Sequence, residues 1–161
     1  MAGAADSHCG STTITVEPSI CASAAGEQPM NMDDAGMSGA EYGDTLYNAE
    51  GDDDDCKYRV AWTSSTFCEN ANVTFKLKLT AKSNGAPATG AEPEIEAFLT
   101  ETHPGQVSSQ ISQETSPGNY SIGPIRFDAP GQWTVRFHLF PVACDLPTSP
   151  HGHAAFYVNV P

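Results

Sequence analysis

Four apolar residues, Val73, Phe75, Leu77 and Leu79, alternate with Thr74, Lys76, Lys78 and Thr80. This is the strongest constraint the chain places on its own fold. Successive side chains of an extended strand point to opposite faces, so a period of two buries one face and wets the other. Trp133, Val135, Phe137 and Leu139 repeat the pattern against Thr134, Arg136 and His138. A helix would instead gather its apolar residues at spacings of three and four.

Weaker copies of the alternation fill the rest of residues 57–161. Tyr58, Val60 and Trp62 form one, and Ile95, Ala97 and Leu99 another. Val107 and Ile111 mark a more polar run. Tyr120, Ile122, Ile125 and Phe127 precede the strand over 132–140, and Ala154, Phe156, Val158 and Val160 close the chain. Asn84-Gly85, His103-Pro104-Gly105, Ser116-Pro117-Gly118-Asn119 and Asp128-Ala129-Pro130-Gly131 separate the runs with turn residues. About seven short strands at regular spacing, with no helical stretch, predict an all-β fold. An antiparallel sandwich of immunoglobulin type fits better than a barrel, because the strands are few and two connections are long.

Residues 1–56 read differently. They hold 12 acidic residues and no Lys or Arg, so the net charge of −13 is almost entirely theirs. Only Thr12 to Val16 is β-prone there, a possible edge strand, and over residues 22–55 the hydrophobic pattern is lost. That composition is typical of a disordered segment. The division expected is an acidic segment, 1–56, followed by a sandwich domain, 57–161. Nucleic acid is excluded as a partner by the missing basic surface. A protein partner, with oligomers through sheet edges, fits better. No apolar run reaches the roughly 20 residues of a membrane span.

The five cysteines, Cys9, Cys21, Cys56, Cys68 and Cys144, form no CxxC pair. Scattered cysteines with little lysine fit an exported protein with one or two disulfides. Cys9 with Cys21, and Cys144 with Cys56 or Cys68, are the pairings considered. The start MAGAADSHCG shows neither the basic residues nor the apolar core of a signal sequence. Asn72-Val73-Thr74 and Asn119-Tyr120-Ser121 match the N-glycosylation pattern by chance, unless the source is eukaryotic.

Residues 72–160 resemble the small extracytoplasmic immunoglobulin-like domains of the YtkA-like and FixH-like group. The likeness rests on the strand ANVTFKLKLT, on Pro93-Glu94-Ile95-Glu96 and His103-Pro104, and on Gly118-Asn119-Tyr120-Ser121-Ile122 followed by Pro130-Gly131-Gln132-Trp133-Thr134-Val135. It implies a β-sandwich outside the cytoplasm. A His- or Met-rich loop in that group suggests copper traffic, and here the corresponding loop offers His103 alone.

Three sets of residues could carry chemistry. Met30, Met32 and Met37 stand in an acidic loop, and soft thioethers suit Cu(I). The alternative is a polar linker, or methionines packed on the sandwich. His151 and His153 bracket Gly152 on a turn, where two imidazoles can face one metal, joined by His103 or the methionines. The alternative is a solvated turn. Glu50, Asp52 and Asp54 alternate, and hard carboxylates at close spacing can hold calcium, but the spacing of a calcium-binding loop is absent, so a solvated charge run is the plainer reading. His138 reads as a surface residue. No nucleophile elbow, phosphate loop or HExxH motif is present. The leading expectation is therefore a non-enzymatic, extracytoplasmic binding module. A periplasmic copper protein and a structural subunit of a surface assembly are the alternatives.

Overall fold

The structure is a computed structural model. It describes residues 9–10, 45–46, 49–107, 112–142 and 152–161, with the backbone alone at Cys9, Gly10 and Val107. The expected strand at 12–16 lies outside them, as do the methionine loop and His151. Among the described residues there is no helix, and hence none long and apolar enough to cross a membrane.

Among the described residues, thirteen strands occur in chain order. They are β1 (Cys9–Gly10), β2 (Thr45–Leu46), β3 (Glu50–Asp52), β4 (Tyr58–Ser64), β5 (Phe67–Cys68) and β6 (Asn72–Ala81). Then follow β7 (Glu94–Thr100), β8 (His103–Pro104), β9 (Gln106–Val107), β10 (Gln113–Ser116), β11 (Asn119–Arg126), β12 (Gly131–His138) and β13 (His153–Val160). The first sheet runs β10-β11-β6-β4-β3, with β9 also on β11; the second runs β2-β13-β12-β7-β8. Among the described residues, all pairings are antiparallel except β2 with β13. The two sheets face each other, so the chain is an all-β sandwich.

The period-two runs do what their pattern requires. Val73, Phe75, Leu77 and Leu79 of β6 are all buried while the residues between them are exposed or half-buried. Trp133, Val135 and Phe137 come from β12 to meet them. Edge-to-face aromatic contacts cross the interior: Phe75 to Phe137 at 5.6 Å and Trp62 to Phe156 at 6.0 Å between ring centroids. Such pairs add roughly 0.5–1.5 kcal/mol each beyond the area they bury. The Trp133 indole N–H donates to the Ala129 carbonyl at 3.0 Å, so its one polar atom is satisfied.

The sandwich begins before Lys57. β2 joins the edge of the second sheet and β3 the edge of the first, so these two neighbouring strands lie in opposite sheets. Gly51 makes this arrangement possible. A Cβ there would collide with Leu46 Cδ1 and press on Phe156. Hydrophobic pattern could not show these strands, because β3 is Glu-Gly-Asp and β2 is two residues long.

At the far side of the first sheet, the turn Pro117-Gly118 joins β10 to β11. Gly118 has φ +73°, and a Cβ would lie 2.8 Å from both the Leu79 carbonyl and Pro87. Glu114 accepts the Gly118 N–H at 2.9 Å and the Gly90 N–H at 3.1 Å, tying this turn to the loop after β6. Tyr120 fixes the same loop from inside. Its hydroxyl donates to Ala88 O at 2.7 Å and accepts the Ala91 N–H at 3.0 Å.

Candidate functional site

The acidic run is a folded corner. Asp53 N–H donates to Tyr58 O, and one oxygen of the Asp53 carboxylate accepts the N–H groups of Lys57 and Tyr58, each at 2.7 Å. Cys56, at φ 56°, completes the turn and donates its N–H to Asp53 O. A short polar side chain that accepts nearby backbone N–H groups is what closes such a loop. Asp53 is fully buried. Burial pushes its carboxyl up, and the charges of Asp54 and Asp55 add to this, against the lowering effect of the two backbone hydrogen bonds.

Asp54 joins this corner to the opposite sheet. Its Oδ1 accepts the N–H groups of Gly152 and His153, both at 2.9 Å, and its own N–H donates to His153 O. Burial pushes the Asp54 carboxyl up, but hydrogen bonds from the His153 side chain and from the backbone of His153 and Gly152 outweigh it, leaving the group below its ordinary range. Asp53, Asp54 and Asp55 each bring a carboxylate oxygen within 4.8 Å of the others.

The structure therefore does not assemble the trio Glu50, Asp52 and Asp54 read from the alternation. Glu50 and Asp52 pair with Arg59 at 3.1 and 3.2 Å, and Asp52 also with Lys82 at 2.6 Å. The run is not solvated either: Asp52 and Asp53 are both buried. The reason is the hairpin. It turns Glu50 and Asp52 towards basic side chains and Asp53 and Asp54 towards backbone donors.

Beside this corner lies a buried pair of imidazoles. His138 ends β12, His153 begins β13, and the two are register partners. Their ring centroids are 4.5 Å apart, edge to face. His138 was expected on the surface because it shares a face with Thr134 and Arg136. It is only 7% exposed. His153 covers it on one side, the Phe140 ring stacks on it at 5.9 Å, and Glu96 approaches from β7. Its Nε2 lies 3.2 Å from Glu96 Oε2, which also accepts from Arg136 at 3.0 Å. The His138 contact, first, and the Arg136 charge lower the Glu96 carboxyl despite partial burial. His153 Nδ1 is 3.8 Å from Asp54 Oδ2.

His103 does not join this group. It holds Asp128 at 2.7 Å and packs edge-on against Trp133 at 5.4 Å. Trp133 is five residues before His138 on β12, about 17 Å along the strand. His103 and His153 thus serve opposite ends of the sandwich. Met30, Met32, Met37 and His151, together with Cys21 and Cys144, lie outside the described residues.

A third feature is the outer face of the first sheet. Lys76 and Lys78 project from the central strand β6 and are exposed. Neither makes an ion pair among the described residues. Small residues flank them on both sides: Ala61 and Thr63 of β4, Asn119 and Ser121 of β11. The result is an open trough of about 580 Å³. The lysines were legible in the sequence as the polar half of the alternation; the trough was not, because it depends on which strands flank β6.

Comparison with known proteins adds no relative. A scan of protein-family models, a search of curated proteins and a search of solved structures each found no match.

Proposed function

We propose that this chain is a non-enzymatic, exported binding module of immunoglobulin-like design that engages an acidic, extended segment of a partner protein along the Lys76–Lys78 trough. The observation that carries the reading is a pair of exposed lysines that make no ion pair among the described residues, set in a groove of small residues, on a chain of net charge −13. Elsewhere in the first sheet, Arg59 and Lys82 are neutralised by Glu50 and Asp52. Complementary charge across such a face contributes register and association rate more than raw affinity.

The face supports this better than the edges support a filament subunit. β2 and β8 are two residues each, β8 ends in Pro104, β3 carries two acids, and β10 is broken by a bulge between Glu114 and Ser116. Short, charged, proline-bearing or bulged edges are how sheets avoid adding strands. Export is supported by Cys56 and Cys68, which both stand as half-cystines. The likeness to the YtkA-like and FixH-like group belongs to the same proposal, and its copper association would call on Met30, Met32, Met37 and His151.

The test is titration with a fluorescent oligoglutamate peptide at low and moderate salt. Binding that weakens with salt is expected. Lys76→Glu/Lys78→Glu should weaken it about tenfold, two exposed ion pairs being worth up to about 1 kcal/mol each. Equal binding by the double variant would overturn the reading.

A further inference from the structure

We propose that Cys9 and Cys68 are joined by a disulfide that ties β1 to β5 and closes the acidic segment into a covalent loop. The bond is independent of the lysine trough.

Cys56 and Cys68 are both half-cystines. They are not bonded to each other. Cys56 sits in the turn before β4, and Cys68 on β5 after it. β4 has seven residues, about 23 Å of extended chain. Its first residue, Tyr58, lies opposite Ala81 and its last, Ser64, opposite Phe75, so the strand runs along β6 without folding back. The chain then stays at that end: Ser65 N–H donates to Thr74 O, and Asn70 N–H donates to Phe127 O. The Cα atoms of a disulfide lie within about 7 Å of each other. The two half-cystines therefore belong to two different bridges, and their partners come from Cys9, Cys21 and Cys144.

The backbone selects the partner of Cys68. β1 and β5 are antiparallel, with Cys9 opposite Cys68 and Gly10 opposite Phe67. Directly opposed residues of an antiparallel pair have Cα atoms about 4.5 or 5.5 Å apart. Both values fall inside the disulfide window of about 4.4–6.8 Å. The pairing also needs something to hold it. The ladder is two residues long and forms a sheet of its own, apart from the two large ones. Even a full hairpin is marginal in water without further packing, and Gly10 has no side chain to pack. β5, by contrast, is fixed, because Phe67 is buried against Phe75 at 5.9 Å and Phe127 at 5.3 Å. A covalent link from Cys68 gives β1 the position that two rungs of ladder do not.

The Cys9–Cys21 pairing considered from the sequence is thereby replaced. The bridge of Cys56 takes Cys21 or Cys144 and leaves the other as a free thiol. The loop that Cys9 and Cys68 close holds every acidic residue of segment 1–56 except Asp6. Its formation is a two-electron oxidation by a disulfide of the glutathione or protein type. One cysteine thiolate attacks the S–S bond of the oxidant, forms a mixed disulfide and expels a thiolate. The other cysteine attacks the protein sulfur of that mixed disulfide and expels the second thiolate. The two cysteine protons end on the expelled thiolates, so the oxidant leaves as two thiols.

The full chain should be refolded with oxidised and reduced glutathione, its free thiols alkylated, and the product digested without reductant by thermolysin and trypsin. Thermolysin cuts before Ile14, Val16 and Ile20, which separates Cys9 from Cys21; trypsin cuts after Lys57 and Arg59, which separates Cys56 from Cys68. Mass spectrometry should find the Cys9 and Cys68 peptides joined, and parted by reduction. Five cysteines with two bridges leave one free thiol. Cys9→Ser and Cys68→Ser should each raise the count to two, and the double variant should return it to one. A Cys68 peptide joined to Cys21 or Cys144, or Cys68 alkylated in the wild-type chain, overturns the proposal whatever the variants do. A thiol count that does not rise in Cys9→Ser also overturns it.

Discussion

Replacing Asp54 by alanine should uncouple one corner of the sandwich. The Asp54 carboxylate is 7% exposed and accepts two backbone N–H groups, from Gly152 and His153, at 2.9 Å each. Hydrogen bonds to a charged group contribute about 1.5–3 kcal/mol each. Both end on one oxygen, so the low end applies, giving about 3 kcal/mol for Asp54→Ala. The loss includes two buried donors left without an acceptor. For a chain of 161 residues this is a fall in melting temperature of roughly 6–12 °C. Asp54→Asn keeps an acceptor but not the charge, and should cost about 1 kcal/mol. Urea unfolding gives the stabilities, and amide exchange at Gly152 and His153 gives the location. Exchange at these two amides should accelerate more than at Val135 in the centre of β12. A stability loss below about 0.5 kcal/mol for Asp54→Ala, or uniform acceleration across both sheets, would refute the reasoning.

Other consequences are as direct. Tyr120→Phe removes the hydroxyl that serves Ala88 O and the Ala91 N–H, and should cost about 1–3 kcal/mol in denaturant unfolding. Gly51→Ala forces Leu46 aside where β2 and β3 lie in opposite sheets, with an overpacking cost of about 1–3 kcal/mol; pairing with Leu46→Ala should recover part of it. Asp128 should titrate below the 3.8 of an ordinary aspartate because His103 hydrogen-bonds it, and carboxyl NMR should show it return towards that value in His103→Gln. Since its folded pKa is the lower one, whatever this pair adds to stability is present above the ordinary range and is lost as pH falls through the depressed value.

What the sequence made legible follows from how much each signal depends on neighbours. The alternation in Val73–Leu79 and Trp133–Leu139 is local, and it placed two central strands and their buried faces. The class of fold followed from counting such runs. The corner at Asp53 and Asp54 was not legible, because an aspartate in solution and one folded over backbone donors share the same letter. His138 was misread for a related reason. Its face of β12 is outward by parity, but parity does not show that His153 and Phe140 cover it there. β3 was invisible because Glu-Gly-Asp owes its pairing to Arg59, Lys82 and the space beside Gly51 rather than to apolar residues.

The parallel pairing of β2 with β13 has a mechanical consequence. Thr45 and Leu46 lie beside Ala155 and Phe156 and run in the same direction. Tension between the chain preceding Thr45 and the end of β13 therefore pulls these two strands past each other along their axes. Bonds loaded in shear fail together, whereas the ladder of an antiparallel hairpin pulled at its open end fails one rung at a time. The short β2 thus acts as a shear clasp on the side of the fold where the acidic segment enters. A chain held by that segment passes its load first to the strand that contributes His153.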